Sequence, residues 1–168
     1  MNARPGPFAG QVRPRFRHLE RCYPAFPAIV GLSRSLVSTH AHSWGLPADI
    51  TDSLGRCVSE LATNALAVSG PLDLIRVRLQ AFPSCVLLSV YDVSPKKPEA
   101  SAPDLTLAEL DALPDVEDPL GFPEFGGWGL PLVQALADVT GAHWLDPVPE
   151  SGKWVWARFD FPPQVTGA

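Results

Sequence analysis

Ile75-Arg76-Val77-Arg78-Leu79-Gln80-Ala81-Phe82-Pro83-Ser84-Cys85-Val86-Leu87-Leu88-Ser89-Val90-Tyr91 is the stretch on which the fold turns. In its first half Ile75, Val77, Leu79 and Ala81 alternate with Arg76, Arg78 and Gln80. A period of two belongs to a strand with one apolar and one wetter face. Cys85 to Tyr91 is apolar almost throughout and reads as a central strand, with turn chemistry at Pro83-Ser84 between the two. Strands that follow one another so closely point to antiparallel pairing.

Upstream lie two helices. From Ala28 to Trp44, Ile29, Leu32, Leu36 and Val37 follow helical spacing, and Gly45 and Pro47 end the element. From about Ala48 to Val68, Leu54, Val58, Leu61, Ala62, Ala65 and Leu66 form one apolar stripe, stopped by Gly70-Pro71. Residues 14 to 22 are expected to form a first strand behind a flexible tail over 1–12. Downstream, prolines and acidic residues crowd positions 93–125, with a short helix expected from Leu105 to Leu113. A segment of this length inside a compact domain is usually functional or mobile. After Gly126-Gly127-Trp128-Gly129 a helix is expected from about Leu130 to Val139, closing near Gly141. Two last strands follow, near Ala142 to Pro147 and Lys153 to Phe161, the latter with Val155, Ala157, Phe159 and Phe161 on one face.

Strands in adjacent pairs around blocks of helix describe an α+β two-layer sandwich. Its sheet is expected to be mixed but mostly antiparallel, with helices on one face, in a single domain over 13–163. Trp154, Trp156, Arg158 and Asp160, like Arg76, Arg78 and Gln80, then fall on the open face. There they form a partner or dimer surface, or the tryptophans simply pack against arginine.

Composition narrows the function. The chain has 168 residues, enough for one domain with an ordinary core. No apolar run approaches the roughly 20 residues that span a membrane, and no apolar segment follows the N-terminal arginines as in a secretory signal. A cytoplasmic location is expected. The net charge of −5 argues against direct nucleic-acid binding. Cys22, Cys57 and Cys85 have no paired spacing and read as free thiols. His40 and His42, two apart, do not share a helix face, which argues against a histidine metal site.

Three groups carry chemistry. Glu60 and Asn64 in Glu60-Leu61-Ala62-Thr63-Asn64-Ala65 are four apart and share a helix face away from the apolar stripe. A carboxylate beside an amide there can activate a hydroxyl and ligate Mg²⁺ through oxygen; the plainer reading is a solvated face. Asp92 ends the central strand, where it can accept a hydrogen bond from a ligand amino group or serve a turn. Gly127-Trp128-Gly129-Leu130 opens a helix, where backbone N–H groups attract phosphate and glycine permits close approach; the plainer reading is a hinge.

In this order and spacing the groups resemble the GHKL ATPase superfamily, with its N-box, first glycine box, ATP lid and second glycine box. Glu60-Leu61-x-x-Asn64-Ala65 is similar to the N-box of the anti-sigma-factor serine kinases. Gly127-x-Gly129-Leu130-x-Leu132-Val133 followed by Ala135-Leu136-Ala137-Asp138 is similar to their second glycine box and its helix. Gly152-Lys153-x-Val155-Trp156 resembles their final strand. The resemblance covers roughly residues 25 to 161. It implies a Bergerat-type, histidine-kinase-ATPase-like fold that binds ATP and Mg²⁺. Glu60 would be the catalytic general base and Asn64 the metal and nucleotide ligand. Asp92 would bond the adenine amino group, and Gly127, Gly129 and Leu130 would form the phosphate cradle under a lid at 93–125. It further implies a sigma factor or an anti-sigma antagonist as partner, serine phosphorylation of the antagonist, and a homodimer.

The chain departs from that pattern in three places. Asp92-Val93-Ser94-Pro95 lacks both glycines of the first box, Val68 stands where histidine is common, and Trp128 stands where arginine is common. The missing glycines and Trp128 support the alternative to this leading reading, a catalytically inactive pseudo-kinase that acts as a protein-interaction module. A histidine-kinase ATPase fragment is a lesser expectation, since no phosphoacceptor hairpin is read ahead of the domain.

Overall fold

A computed structural model describes residues 16–94, 129–144 and 152–162. The expected tail, most of the 93–125 segment with its short helix, and Gly127 lie outside the described residues.

The hairpin expected at the centre of the chain forms as β2 (Leu74–Ala81) and β3 (Cys85–Asp92), with Leu79 opposite Leu88. Its turn is closed where Phe82 N–H donates to the Cys85 carbonyl at 2.8 Å. β1 (Arg17–Pro24) pairs with the free edge of β2. After α3 (Gly129–Leu136), β4 (Val139–Trp144) runs along the far edge, and β5 (Lys153–Asp160) inserts between it and β3. The order is β1-β2-β3-β5-β4, and the sheet, expected to be mostly antiparallel, is antiparallel in every described pairing, as the α+β reading requires.

The register sorts the side chains by face. Leu19, Ile75, Val77, Leu79, Val86, Leu88, Val90, Ala157 and Phe159 point to one side and join a core shared with α1 (Ile29–Ser43), α2 (Ala48–Ala67) and α3. Each fully buried large apolar side chain contributes about 1.5–3 kcal/mol. Leu54, Val58, Leu61 and Ala65 are the face that α2 lays on the sheet. On α1 the buried line is Ile29, Ser33, Val37 and Ala41, and Leu32, expected on the apolar stripe, is exposed. The line is narrow and partly polar because α1 leans chiefly on α2, where Gly55 lets the Ser38 hydroxyl approach closely. Gly45, at φ 73°, ends α1 in the left-handed conformation, and Leu46 N–H closes on the Ala41 carbonyl.

One expectation is corrected. The last helix stops at Leu136, and Gly141 lies inside β4, directly opposite Trp156. A side chain at Gly141 would collide with the Trp156 indole, so this glycine is a seat for an aromatic ring, not a helix stop. Gly141→Ala is expected to cost about 1–3 kcal/mol through forced repacking, read as a lower urea midpoint at unchanged m-value. Trp154 lies on the open face and is 2% exposed, in keeping with the reading in which tryptophan packs against arginine. The Arg78 guanidinium lies 4.0 Å from its ring centroid and is held by Glu20 at 2.9 Å. The flat cation therefore shields the indole.

Candidate functional site

Glu60 and Asn64 are one turn apart on α2, on the flank that meets α3 rather than on the stripe laid on the sheet. The first residue of α3 rests on both. A Cβ at Gly129 would lie 2.8 Å from Glu60 Oε2 and 3.2 Å from Asn64 Nδ2. A hydrogen atom is what lets the helix start come this close. The first N–H groups of that helix have no intrahelical partner, so carboxylate, amide and helix start converge on one place. Leu130, half-buried, packs against the hydrophobic core.

Gly129→Ala is expected to leave the fold standing and to displace the Glu60 carboxyl and the Asn64 amide from the helix start. The added methyl meets the movable ends of two side chains, so stability shifts within about 1 kcal/mol. Thermal melts of the variant beside wild type check that small shift.

Glu60 is partly buried, and that desolvation pushes its carboxyl above the ordinary carboxylate range; the Arg34 guanidinium acts in the opposite direction. Arg34 is anchored on α1 by donating from Nε to the Ser59 hydroxyl at 2.8 Å, and Ser59 in turn donates to the Gly55 carbonyl. Cys57, on the same helix, has its thiol pushed up to about 12 by burial and by the Glu60 charge. It is a reduced, inert neighbour and not a nucleophile.

Asp92 ends β3 on the helix-covered side and is 5% exposed. Its Oδ1 accepts two hydrogen bonds, from Lys153 Nζ at 2.8 Å and from Ser94 N–H at 2.8 Å. Lys153, 4% exposed, also donates to the Ser94 carbonyl at 3.0 Å. The Ser94 bond is an Asx turn, a local closure that needs no glycine. It orders the chain where the first glycine box lacks its glycines. Gly152, at φ 90°, sits so close that a side chain there would collide with the Asp92 carbonyl and the Tyr91 hydroxyl.

Gly152 and Lys153 enter the sequence reading only as part of the final-strand motif, and Arg34 carries no role there. What Lys153 does depends on the antiparallel register that sets it opposite Asp92. Among the described residues no three His, Cys, Asp or Glu side chains cluster as a metal site. Nor is any helix among them long and apolar enough to cross a membrane. The family described as the histidine kinase-like ATPase domain matches residues 23–159. No curated protein matches the chain.

Proposed function

The chain belongs to the histidine kinase-like ATPase domain family, and from that premise we propose that it binds Mg-ATP beside α2 and α3 and phosphorylates a serine of a protein antagonist. The observation that carries this reading is the seating of Gly129 on Glu60 and Asn64, a cradle that any added Cβ would fill. The donor set fits the ion, since Mg²⁺ takes oxygen ligands from one or two side chains and shares the rest with phosphate. Asn64 Oδ1 is the ligand this reading assigns. When bound, Mg²⁺ offsets charge on the phosphate oxygens.

Glu60 acts as the general base. As the serine oxygen bonds to the γ-phosphorus, the bond to the ADP oxygen breaks and the serine proton passes to the Glu60 carboxylate. A carboxyl whose hold on a proton is strengthened by burial is suited to that task. Asp92 receives the adenine amino group on its free oxygen. The protein partner is a sigma factor or an anti-sigma antagonist, the site of action is the cytoplasm, and the working form is a homodimer.

One observation favours a second reading, an inactive binding module: the run from Asp92 to Pro95 has no glycine. Calorimetry with Mg-ATP on wild type and Asn64→Ala tests the nucleotide site. Micromolar binding that weakens at least about tenfold in the variant, as expected for the loss of one charge-assisted ligand, supports it. A folded wild type that binds no Mg-ATP overturns it and leaves the binding-module reading.

A further inference from the structure

The two donors on Asp92 converge on one oxygen. Lys153 Nζ and Ser94 N–H both bond Oδ1, and Oδ2 has no hydrogen-bond partner among the described residues. Lys153 and Asp92 are also among the few charged side chains that are buried, so their bond is not loosened by water. Gly152 makes this possible: its bare, left-handed backbone lies against the Asp92 carbonyl and brings the lysine in beside it.

We propose that Lys153 sets the base selectivity of the nucleotide site, by holding Asp92 so that Oδ2 is an acceptor for a 6-amino purine and excludes a 6-oxo purine. The inference rests on the nucleotide reading given above. A carboxylate accepts hydrogen bonds and donates none. The 6-amino group of adenine meets it as a donor, whereas the 6-oxo group of a hypoxanthine or guanine base meets it acceptor to acceptor. A site built around one hydrogen bond rejects the analogue that cannot make it far more strongly than a shape-matched apolar pocket does. Without the lysine, Oδ1 loses one of its two donors and the Asp92 carboxyl is no longer held with Oδ2 toward the base. The 6-amino group then loses the acceptor held for it, and the preference over a 6-oxo base falls. A lysine that only balanced charge would alter stability and the affinity for both bases alike. A positioning lysine alters their ratio.

The experiment compares Mg-ATP with Mg-ITP, which differ at the 6-position of the base, by calorimetry on the folded protein. Wild type is expected to prefer ATP by roughly a hundredfold or more, and Lys153→Met to reduce that ratio by roughly tenfold or more. Should Lys153→Met not fold, Lys153→Gln, which drops the charge and keeps a neutral amide, carries the same measurement and the same expected fall. A folded variant that keeps the wild-type ratio, or a wild type that binds both nucleotides equally well, overturns the role of Lys153 and leaves the nucleotide site intact. A wild type that binds neither nucleotide overturns the site and the selectivity together.

Discussion

Glu60→Gln should bind Mg-ATP nearly as wild type does and transfer phosphate roughly 10²–10⁴-fold more slowly, the range spanned by a single general base. The amide matches the carboxylate in shape and keeps an oxygen toward Asn64 and Gly129, so the cradle survives. It cannot take up the proton of an attacking hydroxyl. The same variant reports on stability, and the sign follows from linkage. Burial raises the Glu60 carboxyl in the folded state above its unfolded value. The folded protein therefore holds this proton more tightly than the unfolded chain. The resulting stability is fully present below the unfolded carboxylate range and is lost as pH rises through the folded value. At neutral pH the charged carboxylate is thus a net burden on the fold. Glu60→Gln should melt higher than wild type there, and the difference should shrink on acidification. Phosphate transfer to a candidate antagonist, paired with melts across that pH range, checks both halves. An active Glu60→Gln protein would move the general-base role elsewhere.

The second large effect is structural. Lys153→Met should destabilise the protein by about 3–5 kcal/mol, the usual consequence of removing one partner from a buried ion pair. The magnitude comes from what is left behind: Asp92, 5% exposed, would retain only the Ser94 N–H on its carboxyl. For a domain whose whole stability is about 5–15 kcal/mol, that loss is visible in any denaturant titration. Asp92→Asn added to Lys153→Met should restore much of it, since a neutral amide does not need the cation. Non-additivity of this size is the signature of direct contact. Simple additivity would mean that the ammonium group does not sustain the carboxylate. The exposed pair Arg158–Asp160, at a similar 3.0 Å, offers the contrast. Its loss should cost well under about 1 kcal/mol, because both charges remain hydrated.

The elements of the fold were legible in the chain because each is written in short-range spacing. The alternation from Ile75 to Ala81 and the stripe from Leu54 to Ala65 hold within single elements, and both appear with their buried faces as expected. The site was legible in part for the same reason: Glu60 and Asn64 are neighbours through helix geometry alone. Gly129 was legible as a helix start, and its contact with both of them was not. Where local signals had two meanings, the reading went astray at one place and stayed open at another. Gly141 has the residue type of a helix stop and the position of an aromatic seat. Trp154 alternates as an open-face residue should and is nonetheless covered by Arg78.

By itself, then, the sequence determined which segments are helix or strand, which face of each is apolar, and that a carboxylate and an amide share one helical turn. These follow from steric and hydrophobic preferences acting over a few residues. Only the tertiary structure decided the sheet order that places β5 beside β3. That order brings Lys153 to Asp92 across 61 residues of chain. It also decided the approach of α3 that sets Gly129 on Glu60, and the stacking of arginine over tryptophan on the open face. Those contacts depend on register and on the packing of elements far apart in the chain. Their energies are shared among many residues at once, so no local pattern records them.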